Sequence, residues 1–133
     1  MAPRGFLLDT DFLIDLNRVK RNILRQRAEK LLLSINDADL YVSSVVVADF
    51  LTGVPEDKQE KVQMMLKEQY FYLAPGYEEA ALAGKLRREW LAKGYTLALS
   101  DVTNAALAIS RKLALVTRNA AHYPFPELEI IGW

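Results

Sequence analysis

The sequence predicts an α/β fold in which a parallel sheet is covered by helices on both faces. Short, nearly continuous apolar runs alternate with longer stretches of helical period, the pattern of strands buried on both sides. Acids also recur beside apolar runs: Asp9 after Phe6-Leu7-Leu8, Asp49 after Val45-Val46-Val47-Ala48, and Asp101 after Leu97-Ala98-Leu99-Ser100. In an open parallel sheet the ligand crevice lies outside the carboxyl ends of the strands, so acids distant in sequence can meet at one edge. Such a meeting points to a divalent metal.

Residues 5–8 read as a short buried strand, and Asp11 to Asn17 as a brief helix carrying Phe12, Leu13 and Leu16. Ile23, Arg27, Leu31 and Ile35, flanked by Leu24, Ala28 and Leu32, keep a helical period through Ser34. Asn36-Asp37-Ala38-Asp39 breaks it, and Leu40-Tyr41-Val42-Ser43 has the β-branched and aromatic weight of a second strand. Ser44 is expected to cap a helix stopping at Thr52-Gly53. Pro55-Glu56-Asp57 starts another that reaches Glu68, since proline fixes φ and acids suit the positive end of the dipole. Tyr70-Phe71-Tyr72-Leu73 is a third strand closed by Pro75-Gly76. Helices over Tyr77–Lys93, ending at Gly94, and Asp101–Lys112 precede a fourth strand at Leu113–Val116, and Leu128–Ile131 makes a fifth.

The 133 residues fit a single domain, 1–133, with one core and no linker. Cysteine is absent, which removes disulfide scaffolds, thiolate zinc sites and cysteine nucleophiles. The start, Met1-Ala2-Pro3-Arg4-Gly5, leads into too few apolar residues for a signal peptide. No stretch approaches the roughly 20 apolar residues of a membrane span, so a soluble, cytoplasmic protein with no membrane partner is expected. The 17 basic and 17 acidic residues cancel, and bulk charge announces no nucleic-acid binder. Locally, Arg18, Lys20, Arg21 and Arg25, continued by Arg27 and Lys30, form a basic stripe that suits either a phosphate backbone or a solvated helix face.

Each candidate site residue has a plainer reading beside the chemical one. Asp9 suits a metal crevice and equally an N-cap of the helix that follows it. Asp49 lies in an apolar helical run without an obvious local partner, and buried charges are normally paired or metal-bound. Asp101 heads a helix, where capping explains it nearly as well as chemistry. Thr117, Asn119 and His122 follow the fourth strand and bring a hydroxyl, an amide and an imidazole to the same edge. A lone histidine beside Tyr123 and Pro124 is more often a packing or surface residue than a general base, though it is also the commonest proton shuttle. The glycines form neither G-x-G-x-x-G nor a P-loop, which argues against a nucleotide cofactor.

Leu7-Leu8-Asp9-Thr10-Asp11-Phe12-Leu13-Ile14-Asp15-Leu16 resembles the opening motif of PIN-domain ribonucleases. Ser43–Gly53 is similar to their second motif, Leu99–Ala108 to the third and Leu115–Asn119 to the fourth. Order, spacing and length resemble the VapC-type toxins of toxin–antitoxin pairs, essentially end to end. The resemblance implies a three-layer α/β/α sandwich and an acidic pocket for Mg²⁺ or Mn²⁺. It further implies an endoribonuclease with Asp9 and Asp101 as direct ligands, Asp49 as ligand or water-orienting base, and Thr117, Asn119 and Asp11 in support. RNA is then the substrate, and a cognate antitoxin and a second copy of the chain are the expected partners.

The chain departs from the family pattern twice. Asp49 stands where Glu is usual, one methylene shorter, and His122 stands where a further acid is common. Reduced activity, leaving an RNA- or protein-binding module, is the non-enzymatic alternative. Asp9-Thr10-Asp11 after a strand also suits a haloacid-dehalogenase-like phosphatase. That order fails, because no lysine follows Thr117.

Overall fold

A computed structural model describes residues 5–133. Met1–Arg4, part of the start judged too short for a signal peptide, lies outside the described residues. The chain runs β1 (Gly5–Leu8), α1 (Thr10–Leu16), α2 (Ile23–Ile35), β2 (Asp39–Ser43) and α3 (Ser44–Thr52). A 3-10 turn at Glu56–Lys58 leads into α4 (Gln59–Gln69), then β3 (Phe71–Leu73), α5 (Tyr77–Ala92), α6 (Leu99–Arg111) and β4 (Ala114–Val116). A second 3-10 turn, Ala120–His122, precedes β5 (Ile130–Ile131).

All strand pairs are parallel, as the sequence predicts, and the strand order is β3-β2-β1-β4-β5. Strand side chains alternate between the two faces. Leu7 and Leu115 pack with Leu86, Val102 and Leu107, the layer of α5 and α6. Phe6, Leu8, Ala114 and Val116 pack with Phe12, Leu13, Ala28, Val46 and Leu66, the layer of α1 to α4. Gly5 lets β1 lie close to its neighbours: an added Cβ would come within 2.9 Å of both Leu113 and Tyr41 side-chain carbons. The outer strands are short, three residues in β3 and two in β5.

Several boundaries move from the sequence expectation. Ser43, not Ser44, caps α3, its Oγ accepting from Val46 N at 3.1 Å. The helix expected over Asp101–Lys112 begins two residues earlier, α6 starting at Leu99. Asp101 is therefore inside the first turn rather than at the cap, with Ala98 in the cap position. Gly94, at φ +89°, takes the left-handed conformation that glycine adopts without a Cβ penalty and turns the chain after α5. No helix among the described residues is long and apolar enough to cross a membrane.

Candidate metal-dependent active site

β1 lies between β2 and β4, so the strand order reverses beside it, and this is the switch point where open α/β sheets place ligands. Asp9 follows β1 directly, and its N–H continues the ladder by donating to Val116 O at 3.0 Å. Both readings of Asp9 hold at once. It occupies the N-cap of α1, with Oδ1 accepting from Thr10 N at 2.8 Å, while Oδ2 accepts from Thr117 Oγ1 at 2.8 Å. Thr117 Oγ1 also accepts from Asn119 N at 3.1 Å, and the Asn119 amide donates to Asp11 Oδ2. The first and fourth motifs are thus joined side chain to side chain.

The second and third motifs approach from the helices. Ser43 Oγ donates to Asn104 Oδ1 at 2.6 Å, both groups buried, which fixes the entry to α3 against α6. Asp101 projects from α6 toward the hydroxyl of buried Tyr123, which donates to Oδ1 at 3.3 Å. His122 Nδ1 lies 3.6 Å from Oδ2 of the same carboxylate. Asp49 is exposed, so the expectation of an unpartnered buried charge does not hold. It nevertheless stands near enough to Asp101 for its charge to be felt there.

The electrostatics describe one coupled acidic site. Burial raises the pKa of Asp9 above its ordinary value; bonds from Thr117 and Thr10 oppose this, and the charges of Asp11 and Asp101 add to it. Burial likewise raises Asp101, with His122 and Tyr123 opposing and Asp11 and Asp49 adding. Tyr123 is pushed far up by burial and by the adjacent Asp9 and Asp101, so it stays a neutral donor.

The donor set is oxygen-rich and free of thiolate, which suits a hard cation, and its clustered negative charge is what a cation would relieve. Among the described residues no three acid or imidazole side chains stand close enough to form a ready cage. A cation bound here would therefore take much of its coordination from water, as Mg²⁺ does at sites with one or two protein carboxylates.

Two contributors escaped the sequence reading. Tyr123 appeared there only as a neighbour of His122, yet its hydroxyl faces the acids. Asp15 is wholly buried; its Oδ1 accepts from Arg18 Nε at 2.9 Å, and its Oδ2 from Arg118 Nε at 2.9 Å and Trp133 Nε1 at 3.0 Å. A carboxylate two turns along α1 gave no signal of partners so far away in sequence. The basic stripe is largely engaged locally: Arg18 with Asp15, Arg21 and Arg25 with Glu29, and Arg25 also with the Arg18 carbonyl. Lys20 remains exposed.

The family model for the PIN domain matches residues 6–128. The chain belongs to the PIN-domain family. This removes the dehalogenase-like alternative. No curated protein matches in a sequence comparison. Among solved structures, the PIN fold here is similar to FitAcB from Neisseria gonorrhoeae, with TM-score 0.80 and 22% identity over 95% of this chain and 96% of that one. It is similar to DNA-bound VapBC from Salmonella typhimurium, with TM-score 0.76 and 25% identity over 100% and 99%. VapC20 of Mycobacterium tuberculosis, described as a sarcin–ricin loop cleaving toxin, has TM-score 0.67 and 14% identity over 93% and 98%.

Proposed function

We propose that this PIN domain is a Mg²⁺- or Mn²⁺-dependent endoribonuclease, the toxin of a VapBC-type pair. The observation that carries the reading is the network at the switch point that joins Asp9 to Thr117 and Asp11 to Asn119, where burial raises the pKa of Asp9 and Asp101 and the charges of neighbouring acids add to it. Likeness of fold to a toxin–antitoxin complex from Klebsiella pneumoniae and to VapBC-5, of the VapBC family of toxin–antitoxin systems, from Mycobacterium tuberculosis supports the rest.

Asp9 and Asp101 are the groups to hold the cation directly, with Asp49 at the open side as a further ligand or as orienter of water. Thr117 and Asn119 fix the carboxylates of Asp9 and Asp11 by donating to them. Tyr123, neutral and buried, donates its hydroxyl to Asp101. A cation held by these residues would supply activation of a water and relief of charge on the leaving oxygen of an in-line displacement at phosphorus. The net reaction is hydrolysis: a P–O bond to water oxygen forms, the P–O bond to one ribose oxygen breaks, and that oxygen leaves as a hydroxyl.

The test is cleavage of a total-RNA pool by the purified chain with the ends mapped. Discrete cuts that require Mn²⁺ and vanish in EDTA are expected; intact RNA at saturating Mn²⁺ would overturn the reading. One observation favours the second reading, a binding module with weakened chemistry: His122 lies against Asp101 where the family commonly has another acid. A homodimer and an antitoxin complex belong to the same proposal. A sedimentation mass of one 15.1 kDa chain, with and without the antitoxin, would count against them.

A further inference from the structure

Beside Asp101 lies a cleft of about 270 Å³ walled by Tyr95, Ala98, Ala121 and His122. It meets a second, of about 400 Å³, formed by Leu91, Leu99, Arg87 and Arg88. Tyr95, Thr96 and Leu97 line both. The two make one path that starts at the acidic site, passes an aromatic ring and ends at arginines.

Tyr95 is 55% exposed, yet it is held firmly. Its ring meets Trp90 edge-on with centroids 5.4 Å apart, and its N–H donates to Trp90 O at 2.9 Å. Trp90 is itself braced by Phe125, and Arg87 Nε fixes the following turn by donating to Leu97 O at 3.1 Å. Leu91 and Leu99 are each 59% exposed along the same path. Arg88 is exposed and in no ion pair among the described residues. Neither the core nor the proposed chemistry requires a rigid, half-exposed ring here.

We infer that Tyr95 is a base-stacking subsite for single-stranded RNA, with Arg88 taking a phosphate farther along the strand. The inference rests on the nuclease reading for its substrate class. A phosphodiester placed at Asp9 and Asp101 through the proposed cation leaves a nucleoside on each side, and the cleft beside Asp101 receives one of them. Base–aromatic stacking tolerates any base, and a fixed ring loses little freedom on binding. Guanidinium groups beyond it complement the phosphate backbone, as the carboxylates of the site do not. The path also leaves the 18–25 stripe aside, whose arginines already have local partners.

Binding of a labelled single-stranded RNA of mixed sequence, measured by anisotropy with Ca²⁺, another hard cation with oxygen ligands, in place of Mn²⁺, tests this against the melting temperature of each variant. Tyr95→Ala is expected to weaken binding about tenfold for every base composition, and Tyr95→Phe to retain it. Arg88→Gln is expected to flatten the log–log salt slope by about 0.7. Parental affinity in a folded Tyr95→Ala protein overturns the subsite. So does a change in sedimentation mass without a change in affinity, which would make the face an interface between copies. Mn²⁺-dependent cleavage by the parent separates the two readings. Cleavage with no Tyr95 effect sinks the subsite alone, whereas a Tyr95 effect without cleavage sinks the nuclease reading alone. A parent that neither binds nor cuts RNA sinks both.

Discussion

Arg118 Nε and Asp15 Oδ2, 103 residues apart in sequence, form a 2.9 Å ion pair at a carboxylate fully withdrawn from solvent. Arg118 lies between Thr117, bonded to Asp9, and Asn119, bonded to Asp11. The pair therefore anchors the loop that holds two acids of the candidate site. Asp15→Ala should destabilise the fold by about 3 kcal/mol, since it strips partners from Arg18, Arg118 and the Trp133 indole together. Urea unfolding followed by tryptophan fluorescence measures this, and a loss under about 0.5 kcal/mol, the scale of ordinary surface substitutions, would deny the anchor.

Asp9→Asn separates capping from chemistry within one residue. Asn caps a helix about as well as Asp, so the variant should fold and melt no lower than the parent without metal. It should lose Mn²⁺ binding, read by titration calorimetry, and RNA cleavage. Near-parental cleavage would dissociate Asp9 from the reaction.

The raised acids give a pH signature with a defined sign. In the cation-free protein, Asp9 and Asp101 hold protons that the unfolded chain has released, because their folded pKa values exceed the ordinary 3.8. Their contribution to stability is fully present below that value and declines as pH rises through the folded values. In EDTA, the melting advantage of Asp9→Asn over the parent should be small near about pH 4 and widen toward neutrality. Saturating Mn²⁺ should narrow or reverse it, because a ligand of the folded parent alone raises that parent's melting point. A pH-independent difference would contradict the buried, coupled acids.

Ser43→Ala removes the cap of α3 and the only hydroxyl reaching Asn104 Oδ1 among the described contacts. A cap contributes about 1 kcal/mol, and an orphaned buried acceptor costs about 1–3 kcal/mol. A total near 2 kcal/mol is expected in chemical denaturation. Ser44→Ala, at the residue first expected to cap, should change little.

The central strands β1 and β4 were legible because they bury both faces and so appear as unbroken apolar runs, and the outer ones because aromatic and β-branched residues mark them. Asp9 was legible as a strand-end acid, and its cap role followed from the same position. For Asp101 capping and chemistry stood nearly level, because the helix was expected to begin there; it starts two residues earlier, which removes the capping reading. Asp49 looked buried because its neighbours are apolar, but helical turning carries it to the open side. Asp15 and Tyr123 depend on contacts between distant segments, which no local period encodes.

The brevity of the outer strands has a consequence for self-association. A long, flat sheet margin offers a row of free amide and carbonyl groups on which another chain can template, the route to fibrils and swapped assemblies. Here the margins are three and two residues long. They offer so few registers that adding a strand from a neighbour gains little, even where Phe71 and Tyr72 are exposed on β3. The homodimer proposed above would then form through helix faces, where side-chain shape sets both partner and geometry and growth can close at two.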